Sequence, residues 1–233
     1  MAFSRILVPT APDPDAVTAA MVGIGMGFAA PAAVDPNIED TLLFASIEAM
    51  EKNDLRVLAV LVTWFGVHHP WVNADRLTKI VAARESARVR ALWSALATWQ
   101  VRDRRLARLT ELYRGRRLDA LTTGSEFQVR RHGEDPRFER TVLRVPKNVL
   151  RDRIADLLTP TELARRHRPY RHRVMMGPTY RADLWAALEA DPGASAAELA
   201  RRTYASFATA WSVKYDFAIL AGTVARRELP SSR

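Results

Sequence analysis

From residue 36 onward, apolar side chains recur at steps of three and four, the period of a helix with one face on a core. Asp35-Pro36 reads as an N-cap followed by Pro at the first helical position, opening a helix through Leu42, Leu43, Ile47 and Met50. Asn53-Asp54 stops it and caps the next helix, which is expected to bury Leu55, Leu58, Ala59, Val62 and Phe65. Its expected end is Gly66, where a left-handed cap costs least. Asn73 caps a shorter helix through Leu77, Ile80 and Val81. One long helix is then expected from Ser86 to about Tyr113, with Gly115 after it. Val89, Leu92, Trp93, Leu96 and Trp99 form its core side, and Arg84, Arg88, Arg90, Arg102, Arg104, Arg105 and Arg108 its far side.

The period then changes to two. Phe127-Gln128-Val129-Arg130 and Thr141-Val142-Leu143-Arg144-Val145 alternate apolar and polar around His132-Gly133-Glu134-Asp135-Pro136, which predicts a β-hairpin closed by Pro146. A helix is expected over Asn148 to Leu158, and Thr159-Pro160-Thr161-Glu162 has the pattern of a capped helix start. Basic residues follow, from Arg165 and Arg166 to Arg171 and Arg173. Before residue 36 the prolines at 9, 12, 14, 31 and 36 imply an irregular arm with one helix interrupted by Gly23, Gly25 and Gly27. The apolar run Ala16 to Ala33 falls short of a membrane span, which takes ~20 strongly apolar residues, and it lacks the order of a signal peptide. A soluble, cytoplasmic protein is the expectation. The domains read as an arm (1–35), a helical domain (36–115), a hairpin with basic linker helices (116–177) and a C-terminal domain (178–233).

That last stretch carries the sharpest pattern. A helix from Tyr180 to Ala190 is expected to expose Arg181 and Asp183 and to bury Leu184, Trp185 and Leu188. Asp191-Pro192-Gly193 turns the chain, and Ser195 to Glu198 forms a capping box. The helix opened there meets Thr203-Tyr204-Ala205, and Ser206 caps a further helix from Phe207 to Ile219. Residues 198–213 resemble the helix-turn-helix of bacterial DNA-binding regulators, a winged-helix-like domain. Leu199 and Ala200 match its first helix, Ala205-Ser206 its turn, Thr209-Ala210 its Thr-Val pair, and Val213 its later core position. The family prefers Gly where Tyr204 stands. Gly222-Thr223-Val224-Ala225 is placed to begin a wing, with too little chain after it for a full two-stranded one.

Charge points the same way. The chain carries a net charge of +9, and Lys52, Lys79, Lys147 and Lys214 are its only lysines among 35 basic residues. Arginine offers phosphate a planar bidentate fork, and an excess of positive charge favours a polyanionic partner. The resemblance implies that Ser206, Phe207, Ala208, Ser212 and Tyr215 are the outward positions that would meet bases. Arg201, Arg202, Thr209 and Lys214 are then placed for phosphates, with Arg171, Arg173 and Arg181 as further cations. The outward set is poor in the Arg, Asn and Gln that read base edges bidentately.

Other chemistry is thinly represented. With no Cys, disulfides and thiol nucleophiles are excluded. Gly23-Ile24-Gly25-Met26-Gly27 has no preceding strand and no Lys-Ser/Thr after it, so it does not read as a phosphate loop. His68-His69 lack a carboxylate pair at ligand spacing, and the pair His167 and His172 sits among arginines, which disfavours a cation. Neither metal nor cofactor is expected, and no enzyme. Trp93 and Trp99 read as core. The expectation is a mainly α nucleic-acid-binding protein, with DNA as the partner and RNA left open. It is either a regulator whose N-terminal domain dimerises or an accessory, antitoxin-like or defence-system component that grips a protein partner.

Overall fold

The computed structural model describes residues 9–222 except 11 and 122. The protein is mainly α-helical, and the chain divides into two compact units at residues 167 and 168. No helix among the described residues is long and apolar enough to cross a membrane.

The first unit opens with α1 (Pro14–Gly23), α2 (Ile38–Glu51) and α3 (Leu55–His68). Helices α2 and α3 are buried on nearly every face, from Leu42 to Met50 and from Val57 to Phe65, so they form the centre of the core. Asp54 caps α3 by accepting from the amides of Arg56 and Val57. Leu55, expected in the core, is exposed instead, because it sits in the first turn ahead of the buried face that begins at Val57. The cap of α2 is Asn37 rather than Asp35: its Oδ1 accepts from Asp40 N at 3.0 Å. Pro36 is held outside the helix, its carbonyl 2.9 Å from His167 Nε2 and its ring so close to Gly23 that a Cβ there would meet it at 2.7 Å. Nor does Gly66 end α3. It sits within the last turn of the helix, where a Cβ would lie 2.8 Å from the indole of Trp99. Close approach, not a left-handed cap, is why glycine fits there.

Asn73 caps α4 (Ala74–Ala82), and Ser86 caps α5 (Ala87–Trp99). The long helix expected through Tyr113 breaks at Gln100. Asp103 starts a 3-10 turn at Arg104–Leu106, followed by α6 (Ala107–Thr110), which folds back so that the Ser94 hydroxyl donates to Thr110 O at 2.8 Å. A continuous helix would run past the core, whereas the fold-back buries Leu106 and Leu109.

The expected hairpin does not form. Its first half is α7 (Ser125–His132), with Phe127 exposed, and the only sheet among the described residues pairs β1 (Leu118–Asp119) in parallel with β2 (Leu143–Arg144). Four alternating residues carried the first half of the hairpin, too few to outweigh helix formation on a surface with no sheet face to bury. The helix expected over Asn148 to Leu158 is reduced to a 3-10 turn at Ile154–Asp156. Distant partners take this segment's backbone groups instead: Arg137 binds Leu150 O, Thr63 Oγ1 accepts from Arg153 N, and Leu158 N donates to Gly25 O. Helix α8 (Pro160–Arg166) then begins with the full reciprocal box of Thr159 and Glu162.

Much of the expected arginine face is structural. Arg88 staples α2 to the strand region by donating to Met50 O, Asp119 O and Ala120 O, and Arg105 donates to His69 O and Val72 O. Trp93, expected in the core, is fully buried, and its Nε1 donates to Ser46 Oγ. Trp99 is half-buried at the edge of that core.

The second unit comprises α9 (Arg168–Met176), α10 (Tyr180–Ala190), α11 (Ala196–Thr203) and α12 (Phe207–Leu220). Leu184, Leu188, Ala194, Leu199, Ala210 and Val213 form its core, with Trp185, Ala200 and Phe217 packed around them. Helices α11 and α12 are joined by a three-residue turn in which Tyr204 adopts φ 60, ψ 15, the left-handed conformation. A bulky residue pays a backbone cost for this that glycine would not. Of the stretch expected to begin a wing, Thr223 to Ala225 lie outside the described residues.

Candidate nucleic-acid interface

Ser206 caps α12 as its position implies, its hydroxyl accepting from Thr209 N at 3.1 Å. A 14-residue helix with one face on a core distributes its side chains by the helical period. Ala210 and Val213 are fully buried, and Phe207, Ala208, Trp211 and Ser212 are exposed. Tyr215 is half-buried, its ring lying parallel to that of Trp211 with centroids 5.9 Å apart. Thr209 is half-buried, and its hydroxyl bonds that of Ser206 at 2.7 Å. Ser206, Phe207, Ser212 and Tyr215 thus share the outer side of the unit. Trp211 was missed there, although Phe207, Trp211 and Tyr215 stand four residues apart, a spacing that puts aromatics in one stripe. Phe207 and Trp211 are 60% and 59% exposed, which makes this side aromatic rather than cationic.

The cations divide by burial. Arg173 is only 1% exposed, so its expected role as a phosphate contact is overturned. Its Nε and Nη2 grip both carboxylate oxygens of Asp183 at 2.8 and 2.9 Å, which also corrects the outward placement of Asp183. These side chains lie on neighbouring helices that pack together, and each removes the other's buried charge. Arg171 donates to both oxygens of Glu189 at 2.6 Å, and His172 Nε2 lies 2.8 Å from the same carboxylate. The His172 imidazole and the Arg171 guanidinium hold the Glu189 carboxyl below its ordinary range.

The remaining cations are nearer the solvent. Arg181 ties α10 to α12 through Asp216 at 2.8 Å, and Arg202 reaches Asp191 at 3.4 Å. Lys214 donates to Ala194 O and braces the start of α11, so it too has a structural role. Arg201 is the least engaged of the set, 72% exposed and 3.7 Å from Glu198 one turn earlier. Of the capping box expected at Ser195, one half is present, the hydroxyl accepting from Glu198 N at 3.1 Å, while the Glu198 carboxylate faces Arg201 instead of the Ser195 amide.

Solvent-exposed pairs of this kind contribute only about 0–1 kcal/mol, so the carboxylates hold Arg181, Arg201 and Arg202 only weakly. Packing between α11 and α12 is far less forgiving. Ala210→Leu is expected to cost about 1–3 kcal/mol by overpacking a fully buried site. Ser212→Ala, on the exposed side, should stay within about 0.5 kcal/mol. Thermal melts of the two variants check this, and equal melting temperatures would contradict it.

No protein-family model, curated protein or solved structure matches this chain.

Proposed function

We propose that the protein binds DNA through a helix-turn-helix module in its second unit, with α12 presented to the major groove. The observation that carries this reading is the three-residue turn between α11 and α12. It leaves the capped start of α12 exposed while Ala210 and Val213 anchor the helix to the core. Phe207 is placed for apolar contact with thymine methyls, and Ser212 and Tyr215 for hydrogen bonds to base edges. Arg181, Arg201 and Arg202 supply phosphate contacts by exchanging exposed carboxylates for phosphate oxygens. The role this gives the chain is a transcriptional regulator, with the first unit making the dimer or partner contact.

Competition binding on a randomised duplex pool tests it. Arg201→Ala and Arg202→Ala should weaken binding to all sequences alike and lower the logarithmic salt slope by about one each. Phe207→Ala and Ser212→Ala should instead shift the selected sequence. Absence of binding at low salt, or a slope near zero, refutes the proposal.

A second reading rests on the exposed stripe of Phe207 and Trp211 with Tyr215 stacked beside it. Aromatic side chains of this sort anchor protein interfaces, so α12 is also suited to gripping a protein partner in an accessory or defence assembly. Under that reading Trp211→Ala loses a co-purifying protein while the salt-dependent binding to duplex stays as it was.

A further inference from the structure

We infer that the first unit holds a binding site for a nucleotide, built around Trp99, Lys147, Asn148 and Arg151. These residues line an open cavity of about 810 Å³ between α3, the end of α5 and the segment after β2. That volume lies in the range of small-molecule sites, ~300–1,000 Å³. Most arginines described above are occupied, whereas Lys147 and Arg151 are exposed and form no ion pair with a described carboxylate. The two carboxylates that share the cavity are already engaged. Asp135 is held by the Arg137 fork at 2.9 and 2.6 Å, and Asp152 accepts from Ile154 N at 2.9 Å.

Three chemistries therefore converge. Lys147 and Arg151 offer a point charge and a planar fork, the pair suited to a phosphate. Asn148 lies between them in sequence with φ 68, a left-handed conformation that Asn tolerates better than most residues. Its side-chain amide has no described partner, and it offers a donor and an acceptor together, the pattern that pairs with a nucleobase edge. Trp99 is half-buried, and glycine at position 66 lets its indole lie against α3. A half-exposed indole on the wall of the cavity offers a surface for stacking, and base–aromatic stacking is worth ~1–3 kcal/mol. Phosphate, base edge and base face together specify a nucleoside phosphate, either free or as the end of a strand. The helical reading of residues 148–158 hid this site, because only the irregular backbone there brings Lys147 and Arg151 to the cavity that Trp99 borders.

Calorimetric titration of the full chain tests the site, with AMP, inorganic phosphate and a 5′-phosphorylated tetranucleotide as probes. AMP is expected to bind saturably and about tenfold more tightly than inorganic phosphate, the stacking energy supplying the difference. Lys147→Ala combined with Arg151→Ala should weaken AMP by at least about tenfold, and both positions are exposed, so folding is spared. Asn148→Gly keeps the left-handed backbone and should reduce discrimination between AMP and IMP. Binding of the tetranucleotide more tightly than AMP supports a strand end as the source, and equal or weaker binding supports the free nucleotide. The inference is overturned if AMP binds no better than inorganic phosphate, or if the double variant binds AMP as the parent does.

Discussion

Arg173→Ala is expected to destabilise the second unit by about 3–5 kcal/mol, enough to unfold a module of this size at moderate temperature. The guanidinium and the Asp183 carboxylate are buried together, with two parallel hydrogen bonds between them. Removing the guanidinium leaves a carboxylate in the interior with its strongest partner gone. The cost comes from that stranded charge rather than from any large net gain of the pair. Replacing both members, as Arg173→Met with Asp183→Leu, should therefore recover most of the loss. Arg181→Ala provides the scale, because its pair with Asp216 is about half exposed and is worth no more than about 1 kcal/mol. Circular dichroism melts of the four proteins decide it. Should Arg173→Ala melt within a degree or two of Arg181→Ala, the buried pair is not what holds α9 to α10. DNA binding gives a second readout: any effect of Arg173→Ala on affinity should track the folded fraction and leave the salt slope unchanged.

Stability of the first unit should fall by roughly 3 kcal/mol as pH drops from 6.5 to 4, through His68 alone. This imidazole is fully buried, stacked on Trp64 with ring centroids 4.7 Å apart, and its Nε2 lies 3.1 Å from Leu158 O. A carbonyl only accepts, so Nε2 carries the proton of the neutral ring. Burial pushes the pKa down from 6.5 to about 4, and the bond to Leu158 opposes that only in part. Above pH 6.5 both folded and unfolded chains hold a neutral ring, and the full stability is present. Below it the unfolded chain takes up a proton that the folded chain refuses until about pH 4, so unfolding is favoured across that window. Carboxylates titrate near its lower end, which is why the comparison must be made with His68→Gln, a residue that keeps an N–H donor and does not titrate. Urea unfolding at pH 7 and pH 4 should show the parent losing roughly 3 kcal/mol more than the variant. Parallel pH profiles would show that the ring is protonated, or the site open to water, in the folded chain.

Helix starts were the most legible feature of this protein. Asp54, Asn73, Ser86, Thr159, Ser195 and Ser206 all cap helices where the sequence places them. Each cap is a contact between a side chain and an amide two or three residues later, so its chemistry is complete within four residues. The core of the second unit was legible for the same reason, since Leu184, Leu188, Leu199, Ala210 and Val213 follow helical spacing between short turns. Asp35 looked like an equally good cap. It lost to Asn37 because Gly23 and His167, distant in the chain, fix the position of Pro36.

The candidate interface was legible to a lesser degree. The spacing of residues on α12 identified its outer side, but the same spacing could not say which cations were free. Arg171, Arg173, Arg181 and Arg202 look alike in the sequence, and their fates depend on carboxylates 10 to 35 residues away. The segment from Asn148 to Leu158 is the clearest case. Its own composition allows a helix, yet Thr63, Gly25 and Arg137 offer its backbone better-placed partners across the first unit. The sequence by itself thus determined the mainly helical class, most helix starts and the side of α12 that faces outward. These follow from hydrogen bonds and periodicities spanning a few residues. The tertiary structure decided where the long helix breaks, which arginines are buried, and that residues 148–158 line a cavity instead of forming a helix. Those outcomes depend on groups far apart in the chain, whose competition for the same donors and acceptors is settled only when the chain packs.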